Sequence, residues 1–137
     1  AGLANDATLG HSQEDGFRAG TCHPFLAVDL RTGLETGVVE VSMAAMDTTF
    51  RHHQSATPGQ AFARLYHLMR VCRASGGVFH LLWHTNSFDR WEWRGWGRVF
   101  TRVVEEAMEQ GATSKTISEI ADAHRAAREE VLRRIAP

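Results

Sequence analysis

Apolar positions along the chain fall into short continuous runs and longer stretches at helical spacing, punctuated by glycine and polar residues. Residues 38–47 follow Gly37 and open with Val38 and Val39. Their apolar density predicts a largely buried strand with Asp47 at its carboxyl end. Thr57-Pro58 then supplies a helix cap with proline at the first helical position. Phe62, Leu65, Met69 and Cys72 recur at helical spacing until Gly76-Gly77 stops the run. Residues 78–84, Val-Phe-His-Leu-Leu-Trp-His, are short, apolar and aromatic, as expected of a second central strand ending at His84. A tryptophan-rich polar loop, 85–97, leads to a helix over 98–110 whose apolar face is Val99, Phe100, Val103, Val104, Ala107 and Met108, closed by Gly111. Thr116-Ile117-Ser118-Glu119 matches a capping box and starts a third helix that runs nearly to the end. Residues 1–37 read mostly as loop, with Gly16-Phe17-Arg18-Ala19-Gly20 as a brief strand bounded by glycines.

Strand, helix, strand, helix is the βαβ rhythm, so the expected class is α/β with few parallel strands and three main helices. The 137 residues form a single domain over 1–137, and 43 % hydrophobic content suffices for an ordinary core. Two clear strands make a poor sheet on their own, because parallel sheets are covered on both faces and protect their edges. The pattern therefore points to part of a larger sheet. Fifteen Lys and Arg against sixteen Asp and Glu give a formal charge of -1, and the bases are scattered, which argues against nucleic acid as a partner. No apolar run approaches the ~20 residues needed to cross a bilayer, and the first residues lack a secretion-signal pattern, so neither a membrane nor an exported location is expected; the reading is cytoplasmic. Cys22 and Cys72 have no CxxC partner and read as two reduced thiols, with one disulfide as the alternative.

The eight histidines are the better lead. His80 and His84 have the i, i+4 spacing that grips one metal on a helix. On a strand the same spacing separates them by about 13 Å, too far to share an ion. Both would face the side of Val78 and Leu82, opposite Phe79, Leu81 and Trp83. His80 reads as a hydrogen-bonded core histidine. His84 stands where a strand gives way to loop at its carboxyl end, the position at which α/β folds place catalytic groups. Asp47 shares its strand face with Val39, Val41, Met43 and Ala45, cannot easily turn to solvent, and so needs a partner. A strand-end histidine would satisfy it, and the carboxylate would favour a proton-carrying imidazole; capping of the following turn is the equal alternative. Arg18, if buried, would hold a carboxylate through its planar fork. Phe88, Trp91, Trp93 and Trp96 suit a wall for stacking sugars, or equally a simple cover over the core.

Three segments in order, Asp6-Ala7-Thr8-Leu9-Gly10 through Gly16-Phe17-Arg18-Ala19-Gly20-Thr21-Cys22-His23-Pro24-Phe25, then Met46-Asp47-Thr48-Thr49-Phe50, then Gly76-Gly77-Val78-Phe79-His80-Leu81-Leu82-Trp83-His84, resemble the latter half of a NodB-type polysaccharide deacetylase of the carbohydrate esterase 4 group. The likeness spans most of residues 6–111. It implies a partial, half-sized distorted (β/α)7 barrel that removes acetyl groups from N-acetylated sugars with a divalent metal, commonly zinc. By that resemblance Arg18 matches the arginine that orients the catalytic-base aspartate, Asp47 the aspartate that tethers the acid, and His84, in Leu82-Trp83-His84, the histidine that protonates the leaving amine. The family's Thr-Phe-Asp-Asp motif and its His-Ser/Thr-x-x-x-His metal pair do not occur in this chain. The metal ligands would then be supplied by a complementary N-terminal half or partner chain, since a barrel of this kind takes about 200 or more residues. Asn86 and His23 are further candidates for a sugar pocket. Two rivals remain at this level: a non-catalytic sugar-binding or scaffolding subunit, and a small metal-binding domain in which distant histidines such as His23, His53 and His84 converge.

Overall fold

In the computed structural model, residues 2–136 are described. Among these residues, five short strands and three α-helices make a mixed α/β fold whose small sheets do not close into a barrel. The first sheet has the order β1 (Asn5–Asp6), β3 (Glu35–Glu40), β2 (Phe25–Val28). β1 runs parallel to β3, whereas β2 and β3 form an antiparallel hairpin. The second sheet pairs β4 (Ala45–Met46) in parallel with β5 (Leu81–Leu82), with Ala45 opposite Leu81 and Met46 opposite Leu82. The helices are α1 (Pro58–Ser75), α2 (Trp96–Glu109) and α3 (Ile117–Ile135).

The expected strand over 38–47 is one extended segment that changes neighbours. Its first part pairs with β1, and beyond Glu40 the amides of Val41 and Met43 still donate to the carbonyls of Asp6 and Leu9. Ala44 then donates to the carbonyl of His80, which hands the segment over to β5. Each neighbour is too short to pair with the whole run, so regular pairing survives only at its two ends. The segment is buried on both faces, from Val39 through Ala45, as its composition predicts. The Gly16 to Gly20 stretch is a turn rather than the brief strand expected: Gly20 donates back to the carbonyl of Phe17, and Gly16 has a left-handed φ of 124°. The β2–β3 hairpin lies in a region read as loop. Its connection is tied by the Asp29 carboxylate accepting from the Arg31 amide and by Gly33 at a φ of 71°.

All three helices form where the caps place them, although α2 begins two residues before the expected Arg98. Thr57 and Gln60 bond reciprocally at the start of α1, and Thr116 and Glu119 do the same for α3, satisfying amides that would otherwise have no partner. The main core lies between α1, α2 and the β4–β5 pair, with Phe50, Leu65, Trp93, Trp96, Val99 and Val103 buried in it. A smaller core joins Val39 and Val41 to Ala121 of α3. Phe79, Leu81 and Trp83 face the main core and Val78 the smaller one, the alternation expected of this segment. Cys22 and Cys72 are free and buried, and burial, reinforced by Cys22, pushes the Cys72 thiol up to about 12. Gly77 allows this packing, since a methyl group there would come within 2.2 Å of Cys22 Sγ. Among the described residues, no helix is long and apolar enough to cross a membrane.

Glu40 is the odd member of the buried segment. Its side chain is 5 % exposed, and Oε1 accepts the Leu9 amide at 3.2 Å. Burial, with the Asp6 charge adding to it, raises this carboxyl above the ordinary glutamate value of 4.5, against the lowering effect of the Leu9 amide. The folded state therefore holds a proton more readily than the unfolded chain, and stability falls as pH rises from about 4.5 through the folded-state value. Glu40→Gln keeps the acceptor for Leu9 and removes the buried charge. It is expected to unfold at higher urea than the parent at pH 7, with the difference closing at pH 4; a lower midpoint at pH 7 would contradict this.

Candidate functional site

Asp47 follows β4 directly, and its side chain is 0 % exposed. A buried carboxylate is costly unless its oxygens are occupied, and here each oxygen accepts two donors. Oδ1 accepts the Thr48 amide at 2.7 Å and His84 Nδ1 at 2.6 Å. Oδ2 accepts the His84 amide at 2.8 Å and the Ser87 hydroxyl. The parallel pairing of β4 with β5 sets this arrangement, because Met46 lies opposite Leu82 and the two chain ends leave the sheet side by side. Asp47 thus performs both roles weighed from sequence, holding the histidine and capping its own turn.

His84 stands in extended backbone just before a 3₁₀ turn over Thr85–Phe88. Its side chain is 42 % exposed, and only Nδ1 is engaged among the described residues. With the carboxylate acting as acceptor, Nδ1 carries the proton toward Asp47, which leaves Nε2 turned to other partners. A fixed imidazole on a buried carboxylate, with its second nitrogen free, is the arrangement that suits a general acid or base.

Arg18 is exposed, and Nη1 donates to the Gly10 carbonyl at 3.1 Å. Among the described residues it makes no ion pair and no bond to Asp47 or His84. Its loop is nevertheless anchored beside β4, through the Gly16 amide donating to the Ala44 carbonyl at 2.7 Å. The structure therefore joins Asp47 to His84 and leaves Arg18 outside their hydrogen-bond network.

His80 is half-buried, with Nδ1 at 3.0 Å from the Val41 carbonyl, as expected of a core histidine. His23 and Asn86 are exposed. No group of three or more His, Cys, Asp or Glu side chains that could hold a metal occurs among the described residues, so the convergence of His23, His53 and His84 is not formed.

The tryptophan loop divides. Trp93 and Trp96 are 2 % and 4 % exposed and belong to the core, whereas Trp91 is 93 % exposed and Phe88 is half exposed. Trp93 carries the Arg51 guanidinium 4.1 Å from its ring centre and His52 edge-on at 5.2 Å. Two members of this region escape a sequence reading. Ser87 lies three residues past His84 in a loop of polar residues, with nothing in the pattern to mark it as buried. Arg51, in a π-helical turn over Thr49–His53, meets Trp93 only through the tertiary fold.

Comparison with models of known protein families, with curated proteins and with solved structures finds no match for this chain.

Proposed function

We propose that the chain is the acid-side half of a NodB-like deacetylase, a metal-dependent hydrolase acting on N-acetylated sugars, folded as part of an incomplete (β/α)7 barrel. The observation that carries this reading is the Asp47–His84 pair at the carboxyl ends of two parallel strands, with Nε2 left free. In deacetylation His84 gives its Nε2 proton to the amide nitrogen as the tetrahedral intermediate collapses, so that the C–N bond breaks and the sugar leaves as an amine. Asp47 holds the ring and stabilises the imidazolium while that proton is carried. Arg18, with no carboxylate partner among the described residues, is available to orient the catalytic base of the complementary half.

The described residues do not fit a metal. No ligand cluster forms, and the Nδ1 atoms of His80 and His84 are both engaged. Zinc or another divalent ion, with its ligands, is assigned to the complementary half, and this chain's own contribution is proton handling. A complementary half also has an edge to join: among the described residues β5 pairs only with β4, and Leu82 on it is 40 % exposed.

The test is acetate release from N-acetylated oligosaccharides by the chain together with its complementary half and zinc. His84→Ala should lower the rate by about 10²–10⁴-fold with bound metal unchanged. An unaltered rate in that variant would remove His84 from the chemistry and favour a non-catalytic sugar-binding or scaffolding subunit instead.

A further inference from the structure

Immediately after Ser87, which bonds Asp47, Phe88 forms one wall of a recess of about 500 Å³ shared with the start of α2. That volume falls within the ~300–1,000 Å³ range of small-ligand sites. Arg90, Arg94 and Arg98 line it, with Trp93 contributing to the wall. These arginines differ from most others in the chain. Arg31, Arg64, Arg125, Arg128, Arg133 and Arg134 are ion-paired, and Arg51 and Arg102 stack on Trp93 and Phe62. The three recess arginines have no acidic partner among the described residues.

The one carboxylate in the lining, Asp89, is turned to its own loop, where Oδ1 accepts the Trp91 and Glu92 amides at 2.8 and 2.7 Å. Three positive groups against one negative leave the recess with an excess of two positive charges. Arg51 adds to the same field: it stacks on Trp93, which lines the recess, and its Nη1 is buried without a hydrogen-bond partner. Guanidinium groups gathered without counter-charges form a receptor for a planar or tetrahedral oxyanion, which they can hold through paired N–H donors.

We propose that this recess binds an anionic group, a carboxylate or sulfate, carried by an acidic N-acetylated saccharide whose neighbouring unit reaches His84. The part of this that concerns His84 rests on the deacetylase reading; the anion site does not. Phe88, the first residue of the recess, adjoins Ser87, whose hydroxyl bonds the same Asp47 carboxylate that holds the His84 ring, so the recess begins one residue from that network. Phe88, half exposed at the wall, offers the apolar surface on which a sugar ring rests.

The experiment titrates the full chain, at low ionic strength, with a heparosan tetrasaccharide of alternating glucuronate and N-acetylglucosamine, with neutral chitotetraose, and with inorganic sulfate, following amide and His84 ring signals by NMR. Heparosan is expected to bind at least about tenfold more tightly than chitotetraose, to shift the His84 ring, and to weaken with added salt. The exposed Arg90→Gln, Arg94→Gln and Arg98→Gln substitutions should each weaken it, and together abolish the preference, with urea midpoints unchanged. Equal binding of the two tetrasaccharides, inorganic sulfate matching heparosan, a short RNA binding more tightly than either, or full binding by the triple variant would each overturn the proposal. Binding is read without turnover. Arginine-dependent heparosan binding without acetate release from the completed complex would therefore uphold the recess and reject the deacetylase reading.

Discussion

Asp47→Ala is expected to destabilise the fold by roughly 2–4 kcal/mol, a large part of the ~5–15 kcal/mol that holds a small domain together. The substitution removes the acceptor for four donors at once: the Thr48 and His84 amides, the His84 ring and the Ser87 hydroxyl. His84 is 42 % exposed, so its ring can turn to water and loses little. Ser87 is 0 % exposed and cannot, and a buried donor left without a partner costs about 1–3 kcal/mol. Asp47→Asn fills the same space, but its amide turns an N–H₂ toward donors that already point inward. Its cost should lie between those of the parent and the alanine variant. Urea midpoints give the stabilities, and the His84 Nδ1–H signal reports whether the ring is still held. An alanine variant with the parent's midpoint would show that the four bonds do not hold the strand ends together.

Much of this network was legible in the sequence because the relevant periodicities are strict. Counting back by two from Asp47 meets only buried positions, so a carboxylate on that face had to have a partner. The end of the 78–84 run places His84 beside it when the two strands run parallel, as they do. The helices were equally legible, since Thr57 with Gln60 and Thr116 with Glu119 carry their own boundary chemistry. The β2–β3 hairpin was not. Its strands are partly exposed, with Leu30 and Leu34 97 % and 69 % exposed around the turn, so no alternation of apolar and polar residues marks it. The arginine recess escaped for a different reason. Arg90, Arg94 and Arg98 look like scattered surface charges until the fold shows that six other arginines are ion-paired and these are not. Arg18 shows the converse limit: its segment left open whether the guanidinium is exposed or buried on a carboxylate, a choice that periodicity does not make, and the structure leaves it exposed on the Gly10 carbonyl.

Trp93→Ala should be the most damaging core substitution, costing about 3–5 kcal/mol. Trp93 is 2 % exposed and packs edge-on against Trp96 at 5.8 Å, joining the tryptophan loop to the main core. The loss is more than a cavity. Arg51 rests on the indole face 4.1 Å from the ring centre, and its buried Nη1 already lacks a hydrogen-bond partner. Without the ring, the guanidinium loses an attraction of roughly 0.5–2 kcal/mol and must find water or move. Trp93→Phe keeps an aromatic face for Arg51 and an edge partner for His52, so it should recover at least half of the lost stability. Because Arg51 and Thr49 lie on the turn that follows Asp47, the alanine variant should also broaden the His84 ring signals before global unfolding, whereas the phenylalanine variant should not. Urea titrations that place the alanine and phenylalanine variants at the same midpoint would show that neither the ring volume that phenylalanine restores nor its aromatic face for Arg51 sets the role of this residue.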